Sequence, residues 1–219
     1  MTTDTYRQLL GLAAGVMIVA AVLALWRRSL SAIVRILAAQ GLALAAIAVL
    51  VGAYHHEVSD IAVGGMFVVL KVVVIPAVLL RVVRDTNNQR QSEPLVNVST
   101  TIVGAAILTV VAFAATRGLV GLHPSPEADA LPAGFAVVLI AFFGLVVRRN
   151  ALVQVVGFLM LENGIAAVAV LAGAGISLTV EMAVALDLLL AVLVLQILSA
   201  RMQTKFGGLE LDHLSELTD

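Results

Sequence analysis

Three ionisable residues, Lys71, Glu162 and Asp187, lie near the middle of long apolar stretches of this sequence. A charged side chain at the centre of a bilayer costs about 2.5–3.5 kcal/mol on insertion scales. Three unpaired charges would together cost roughly 8–10 kcal/mol, which is comparable with the net stability of a whole folded domain. A carboxylate or amine in such surroundings can bind and release a proton when its environment changes. We therefore interpret these residues as candidate proton-relay groups.

Glu162 shares one helical face with other residues that recur every four positions. The stripe consists of Asn150, Gln154, Phe158 and Glu162, and residues four apart lie above one another on a helix. This pattern predicts a hydrated path along which Gln154 passes protons between one end of the helix and Glu162. In the alternative interpretation, Gln154 only forms a hydrogen bond to a neighbouring helix.

Lys71 is followed five residues later by Pro76. A proline removes a helical hydrogen bond and kinks the helix, so we expect a functional break beside the lysine. Lys71 could alternate between a charged and a neutral form, or it could form a static salt bridge to Glu162 or Asp187. For Asp187, a fixed polar contact between helices is the alternative to a relay, and Gln40 is expected to hydrogen-bond another helix.

The composition predicts an all-α, polytopic membrane protein. Of its 219 residues, 61% are hydrophobic and 12% are charged, and the mean hydropathy is +1.08. Continuous apolar runs, unlike the alternating pattern of membrane strands, favour transmembrane helices. We predict seven such helices, at approximately 7–26, 31–54, 58–83, 98–116, 132–147, 151–174 and 178–201, with a loop from Arg117 to Pro132.

Composition also limits the partners. The net charge of −1 and the absence of a basic tract give no indication of nucleic-acid binding, whereas the lipid bilayer is an expected partner. The chain has no cysteine, which excludes disulfides and cysteine-ligated clusters held by this chain. Its four histidines are expected in loops or the tail, so we predict no metal or cofactor in this chain.

Lysine and arginine positions predict the orientation, because these residues accumulate on the cytoplasmic side of membrane proteins. With the N-terminus outside the cell membrane and the C-terminus in the cytoplasm, only Arg7 and Arg117 face outwards, and Lys71 is within the membrane. The others are then all cytoplasmic: Arg27, Arg28, Arg35, Arg81, Arg84, Arg90, Arg148, Arg149, Arg201 and Lys205.

The sequence contains an internal repeat. Residues 44–53 match residues 165–174 at seven of ten positions, and the same offset of 121 superimposes Arg27-Arg28 on Arg148-Arg149. We interpret this as a parallel three-helix repeat of spans 1–3 and 5–7 joined by span 4. The expected divisions are 1–95 for the first repeat, 96–131 for a connecting helix and external loop, and 132–219 for the second repeat with its tail.

Several motifs resemble those of known membrane proteins. From Arg148 onwards the chain resembles the K subunit (chain 4L type) of respiratory complex I and, more distantly, the corresponding small membrane protein of Mrp-type antiporters. This resemblance rests on Met160-Leu-Glu162-Asn163, on Ala185-Leu-Asp187-Leu and on the tail Leu209-Glu-Leu-Asp212-His-Leu-Ser215-Glu216-Leu. With Leu70-Lys71-Val-Val-Val-Ile-Pro76 and Arg148-Arg149-Asn150, most of the chain is similar to hydrogenase-4 component E, a membrane subunit of formate hydrogenlyase-type complexes.

The resemblance implies a non-catalytic subunit of a complex I-related redox complex that contributes to proton, or sodium, translocation. It implies antiporter-like and quinone-site-like membrane partners and, through them, peripheral subunits that carry metal centres. Glu162 and Asp187 match the two intramembrane carboxylates of the K subunit, although the second is usually glutamate there. A subunit of an Mrp-type cation/proton antiporter and a structural membrane adaptor are the alternatives.

Overall fold

The chain folds into a bundle of long helices. The computed structural model describes residues 1–85, 98–122, 124–148 and 151–173, and all regular structure in these ranges is helical. The elements are α1 (Thr3–Trp26), α2 (Leu30–His55), α3 (Val58–Phe67), a π-helical segment (Val68–Val74), α4 (Ile75–Asp85), α5 (Val98–Leu122), α6 (Pro126–Val147) and α7 (Ala151–Leu171).

Six helices in the described ranges are long and apolar enough to cross a membrane, with α3, the π segment and most of α4 forming one of them. The predicted class of all-helical, multi-pass membrane protein is therefore confirmed. The seventh predicted span at 178–201, its residue Asp187 and the tail lie outside the described residues.

The short connections after α1 and α2 make α1 and α2, and α2 and α3, antiparallel neighbours. The backbones of α2 and α3 approach each other closely. α2 ends at His55, and the left-handed conformation of the next residue, His56 (φ 61°), stops the helix. A Cβ atom on Gly64 would lie 3.0 Å from the Ala45 carbonyl oxygen. Glycine at this position therefore lets the two helices pack at a distance that a larger residue would prevent.

The start of α6 differs from the prediction. We expected a loop from Arg117 to Pro132, but α5 continues to Leu122, six residues beyond the predicted end. α6 begins at Pro126, and Ser125 caps it by accepting a hydrogen bond from the Ala128 amide at 3.1 Å. The expected start at residue 132 is thus six residues too late. Proline is well suited to the first position of a helix and acidic residues to its first turn, so Pro126, Glu127 and Asp129 mark a helix start here.

α1 and α6 run parallel and contact each other at both ends. At one end Tyr6 Oη donates to Glu127 Oε1 at 2.5 Å. At the other, Arg148 Nη2 donates to the carbonyl oxygens of Leu25 at 2.6 Å and Arg27 at 2.9 Å. We call these two ends of the bundle the N-terminal face and the arginine face.

The Arg148 contact completes the end of α1. The last carbonyl groups of a helix have no partner within it, and here the guanidinium of Arg148 supplies one. Burial, together with the nearby positive charge of Arg28, lowers the pKa of Arg148 from its ordinary value. The hydrogen bonds to α1 offset part of the cost of burying this charge.

Candidate functional site

A lysine and a glutamate form an ion pair in the middle of the bundle. Lys71 Nζ lies 2.7 Å from Glu162 Oε1 and 3.1 Å from Asn163 Oδ1. The Lys71 side chain is only 4% exposed and that of Glu162 12%. The structure thus joins two of the predicted site residues, and their pairing reduces the cost of placing each charge in an apolar medium.

Two amide side chains extend this ion pair across the bundle. Asn163 Nδ2 donates to Gln40 Oε1 at 3.2 Å, and Gln40 Nε2 donates to the Met17 carbonyl oxygen at 3.5 Å. Gln40 and Asn163 are 0% and 2% exposed. The predicted helix–helix hydrogen bond of Gln40 is confirmed. We call the four side chains of Gln40, Lys71, Glu162 and Asn163 the central network.

The backbone beside Lys71 is a π-helix rather than an α-helix. The Ile75 amide donates to the Leu70 carbonyl, five residues back, and Pro76 has no amide hydrogen to donate. Short π segments within α-helices occur frequently at functional sites. The predicted break beside the lysine is therefore present, as a π segment that contains Lys71 itself.

Close packing holds the π segment against α2. A Cβ atom on Gly41 would lie 3.0 Å from Lys71 Cβ and 3.1 Å from the Lys71 carbonyl oxygen. The fully buried Phe67 ring lies beneath the ammonium group, with its centroid 5.3 Å from Nζ. This geometry adds a favourable cation–π contact, and Gly41 leaves the space in which Lys71 reaches α7.

The network combines two titratable groups with two groups that only orient them. A proton passing from Lys71 to Glu162 would convert an ion pair into two neutral groups without separating charge. The Asn163 and Gln40 amides do not titrate at physiological pH, but they fix where the ammonium group points. The sequence motif around Glu162 includes Asn163 without indicating a role for it. The position of Asn163 next to Glu162 in an apolar helix is the sequence feature that could have identified it as part of the site.

Gln154 lies apart from the central network. Its Nε2 donates to the Arg148 carbonyl oxygen at 2.9 Å, at the arginine face. It is eight residues, or about 12 Å along a helix, from Glu162, and Phe158 between them is 50% exposed. Asn150 lies outside the described residues, and the hydrated path along this stripe stays a prediction.

A second polar cluster, which the sequence did not predict, joins three helices at the N-terminal face. Glu127 Oε1 accepts a hydrogen bond from Tyr6 and lies 3.0 Å from His55 Nε2. The Tyr6 ring stacks on Tyr54 with centroids 4.0 Å apart. Tyr6 and Glu127 are 121 residues apart, and the repeat offset of 121 was the signal that could have found this pair.

Within the described ranges, no group of three or more histidine, aspartate or glutamate side chains is arranged to hold a metal ion.

These features define a class of protein: an all-helical, multi-pass membrane protein with a lysine–glutamate ion pair at the centre of its bundle. Comparison with known proteins finds no matching family model. No solved structure matches either. The chain is 46% identical to the uncharacterized protein Rv0085 of Mycobacterium tuberculosis over 220 residues, which cover all of both chains. It belongs to the same family as this mycobacterial protein.

Proposed function

We propose that this chain is a non-catalytic membrane subunit of a complex I-related redox complex of the hydrogenase-4/formate hydrogenlyase type. In this proposal, Lys71 and Glu162 take part in proton translocation, with Asp187 and Gln154 as further relay groups. The observation that carries the proposal is the buried ion pair between Lys71 and Glu162, located on a π segment at mid-height of the bundle. The motif resemblance supports the kind of complex.

The π segment offers a way to switch the pair. Return of the segment to α-helical geometry would shift the register by one residue and rotate Lys71 by about 100° around the helix axis. That rotation would separate Nζ from Glu162, which would then favour protonation of the carboxylate. Uptake of one proton would thus be coupled to a conformational change in a neighbouring subunit.

The proposed location is the cell membrane, with the N-terminus outside and the C-terminus cytoplasmic. Arg27 and Arg148, which directly follow α1 and α6, lie at the same end of the bundle, which supports an arginine face on the cytoplasmic side. The parallel pairing of α1 with α6, through contacts between residues 121 apart at both ends, supports the parallel repeat with seven spans.

The proposed partners are antiporter-like and quinone-site-like membrane subunits and, through them, peripheral subunits that hold the metal centres. Purification of the tagged chain in mild detergent tests this assembly. Co-purifying iron–sulfur or nickel subunits are expected, whereas antiporter subunits alone would indicate an Mrp-type cation/proton antiporter.

Substitution tests the role of the ion pair. Complexes that assemble with Glu162→Gln are expected to lose proton movement coupled to turnover. A second function, that of a structural adaptor, is favoured by the hydrogen bonds that join Gln40, Asn163, Lys71 and Glu162. Normal proton translocation by assembled complexes carrying Glu162→Gln and, separately, Lys71→Met would favour the adaptor and refute the relay.

A further inference from the structure

A cavity of about 480 Å³ opens at the N-terminal face. Its described walls come from the end of α2, the start of α3, the start of α6 and the end of α7. The deeper wall is apolar and includes Ala48, Val51, Val63 and Val170. Neither the central network nor the stripe around Gln154 contributes a described residue to this cavity.

The mouth of the cavity is acidic. The carboxylates of Glu57, Asp60 and Glu127 line it together with His55, and its described lining contains no lysine or arginine. His55 is hydrogen-bonded to Glu127, which places its ring at the rim. A cleft lined by charges of one sign concentrates ions of the opposite sign, so this mouth favours cations over anions.

The cavity points along three helices towards the central network. Ala48, Val63 and Val170 in its wall each lie eight residues before or after a network member on the same span: Gln40, Lys71 and Glu162 respectively. Eight residues correspond to about 12 Å of helix. Along each of these three spans, the cavity wall thus lies about two helical turns from the central network.

On the third span, the aromatic residue Phe67 lies between the cavity wall and Lys71. Phe67 is one helical turn from Val63 and one from Lys71, is fully buried, and contacts the Lys71 ammonium group with its ring. Its ring thus lies along this span between Val63 in the cavity wall and the Lys71 ammonium group.

We infer that the cavity is a cation-selective vestibule through which protons or small cations reach the Lys71–Glu162 pair from the N-terminal face. This inference rests on the proposed function for its purpose. The vestibule supplies the access on the side opposite to the stripe of Gln154, with Phe67 as the barrier between them.

The absence of cysteine from the natural sequence allows a direct test by thiol labelling. Single variants Val51→Cys and Val170→Cys place a thiol in the cavity wall on two different helices. Val49→Cys is the matched control, because Val49 is a valine on the same helix as Val51, two residues away, is 38% exposed and is not among the residues that line the cavity. Each full-length variant is treated in native membranes with methanethiosulfonates that carry a trimethylammonium or a sulfonate group.

The cationic reagent is expected to label the Val51→Cys and Val170→Cys variants at least about 10-fold faster than the Val49→Cys variant. Combining either with Asp60→Asn and Glu57→Gln should slow the cationic reagent by about 10-fold and speed the anionic reagent, because the same carboxylates attract one and repel the other. Equal labelling of wall and control variants would overturn the vestibule, and an unchanged ratio between the two reagents would overturn its cation selectivity.

Labelling reports access to the wall and does not depend on turnover of any complex. A labelled vestibule in a complex that still pumps with Glu162→Gln would refute the proposed function alone. An unlabelled vestibule in a complex that loses pumping with Glu162→Gln would refute this inference alone.

Discussion

Removal of one partner of the central ion pair should destabilise the protein far more than removal of both. In Glu162→Gln, the buried Lys71 loses the carboxylate that lies 2.7 Å from its Nζ. Two unit charges at this distance attract by about 6 kcal/mol at an effective dielectric constant of 20, and breaking a buried pair typically costs about 3–5 kcal/mol. The double variant Lys71→Met/Glu162→Gln removes both charges of this pair, and we expect it to be within about 1 kcal/mol of wild type.

Thermal unfolding of the purified full-length protein in mild detergent measures this pattern. A loss of 3–5 kcal/mol corresponds to about 10 °C in Tm for a chain of this size. Asp129→Asn is the matched control, because it removes a carboxylate from the half-exposed ion pair with Arg7 and should cost less than about 1 kcal/mol. If the two single losses add in the double variant, or if Glu162→Gln unfolds at the wild-type Tm, the ion pair does not contribute as inferred.

Three further substitutions follow from the packing, and the same thermal assay measures each. Gly41→Ala puts a Cβ atom 3.0–3.2 Å from atoms of the π segment and should cost about 1–3 kcal/mol, whereas Gly65→Ala has open space around it and should not destabilise. Arg148→Met removes the donor to the last carbonyls of α1 and should lower Tm by several degrees; an unchanged Tm would mean that other groups satisfy those carbonyls. Tyr6→Phe removes the hydrogen bond to the buried glutamate of α6 and should cost about 1.5–3 kcal/mol. Tyr54→Phe is the control and should cost less, because among the described residues the Tyr54 hydroxyl is hydrogen-bonded only to the exposed Thr3.

The membrane-spanning architecture could be predicted because run length and hydropathy depend on local sequence alone. Six of the predicted spans coincide with helices of the structure to within a few residues at most ends. The exceptions are the end of α5, at Leu122 rather than residue 116, and the start of α6, at Pro126 rather than residue 132. The start of α6 combines two prolines with acidic residues, which are typical of loops and equally of helix starts. Burial of Glu127 against Tyr6 favours the helical alternative, and that contact is not visible in local sequence.

The candidate site could be predicted only in part. Position within an apolar run was enough to single out Lys71 and Glu162, but the choice of partner depended on which helices are neighbours. The π segment could not be predicted from the sequence either, because Pro76 indicates a break in the helix but not the type of break. Asp187 lies outside the described residues, and its role stays a prediction.

The 91 residues that separate Lys71 from Glu162 have a consequence for biosynthesis. At about 5–20 residues per second, the ribosome needs about 5–18 s after Lys71 to produce its partner. During this interval the third span must enter the bilayer without the carboxylate that lies 2.7 Å from Lys71 Nζ in the folded protein, where a charged side chain costs about 2.5–3.5 kcal/mol, or wait at the membrane surface. We therefore expect a nascent chain that stops before α7 to be a preferred substrate of membrane quality control, because Lys71 still lacks the Glu162 carboxylate.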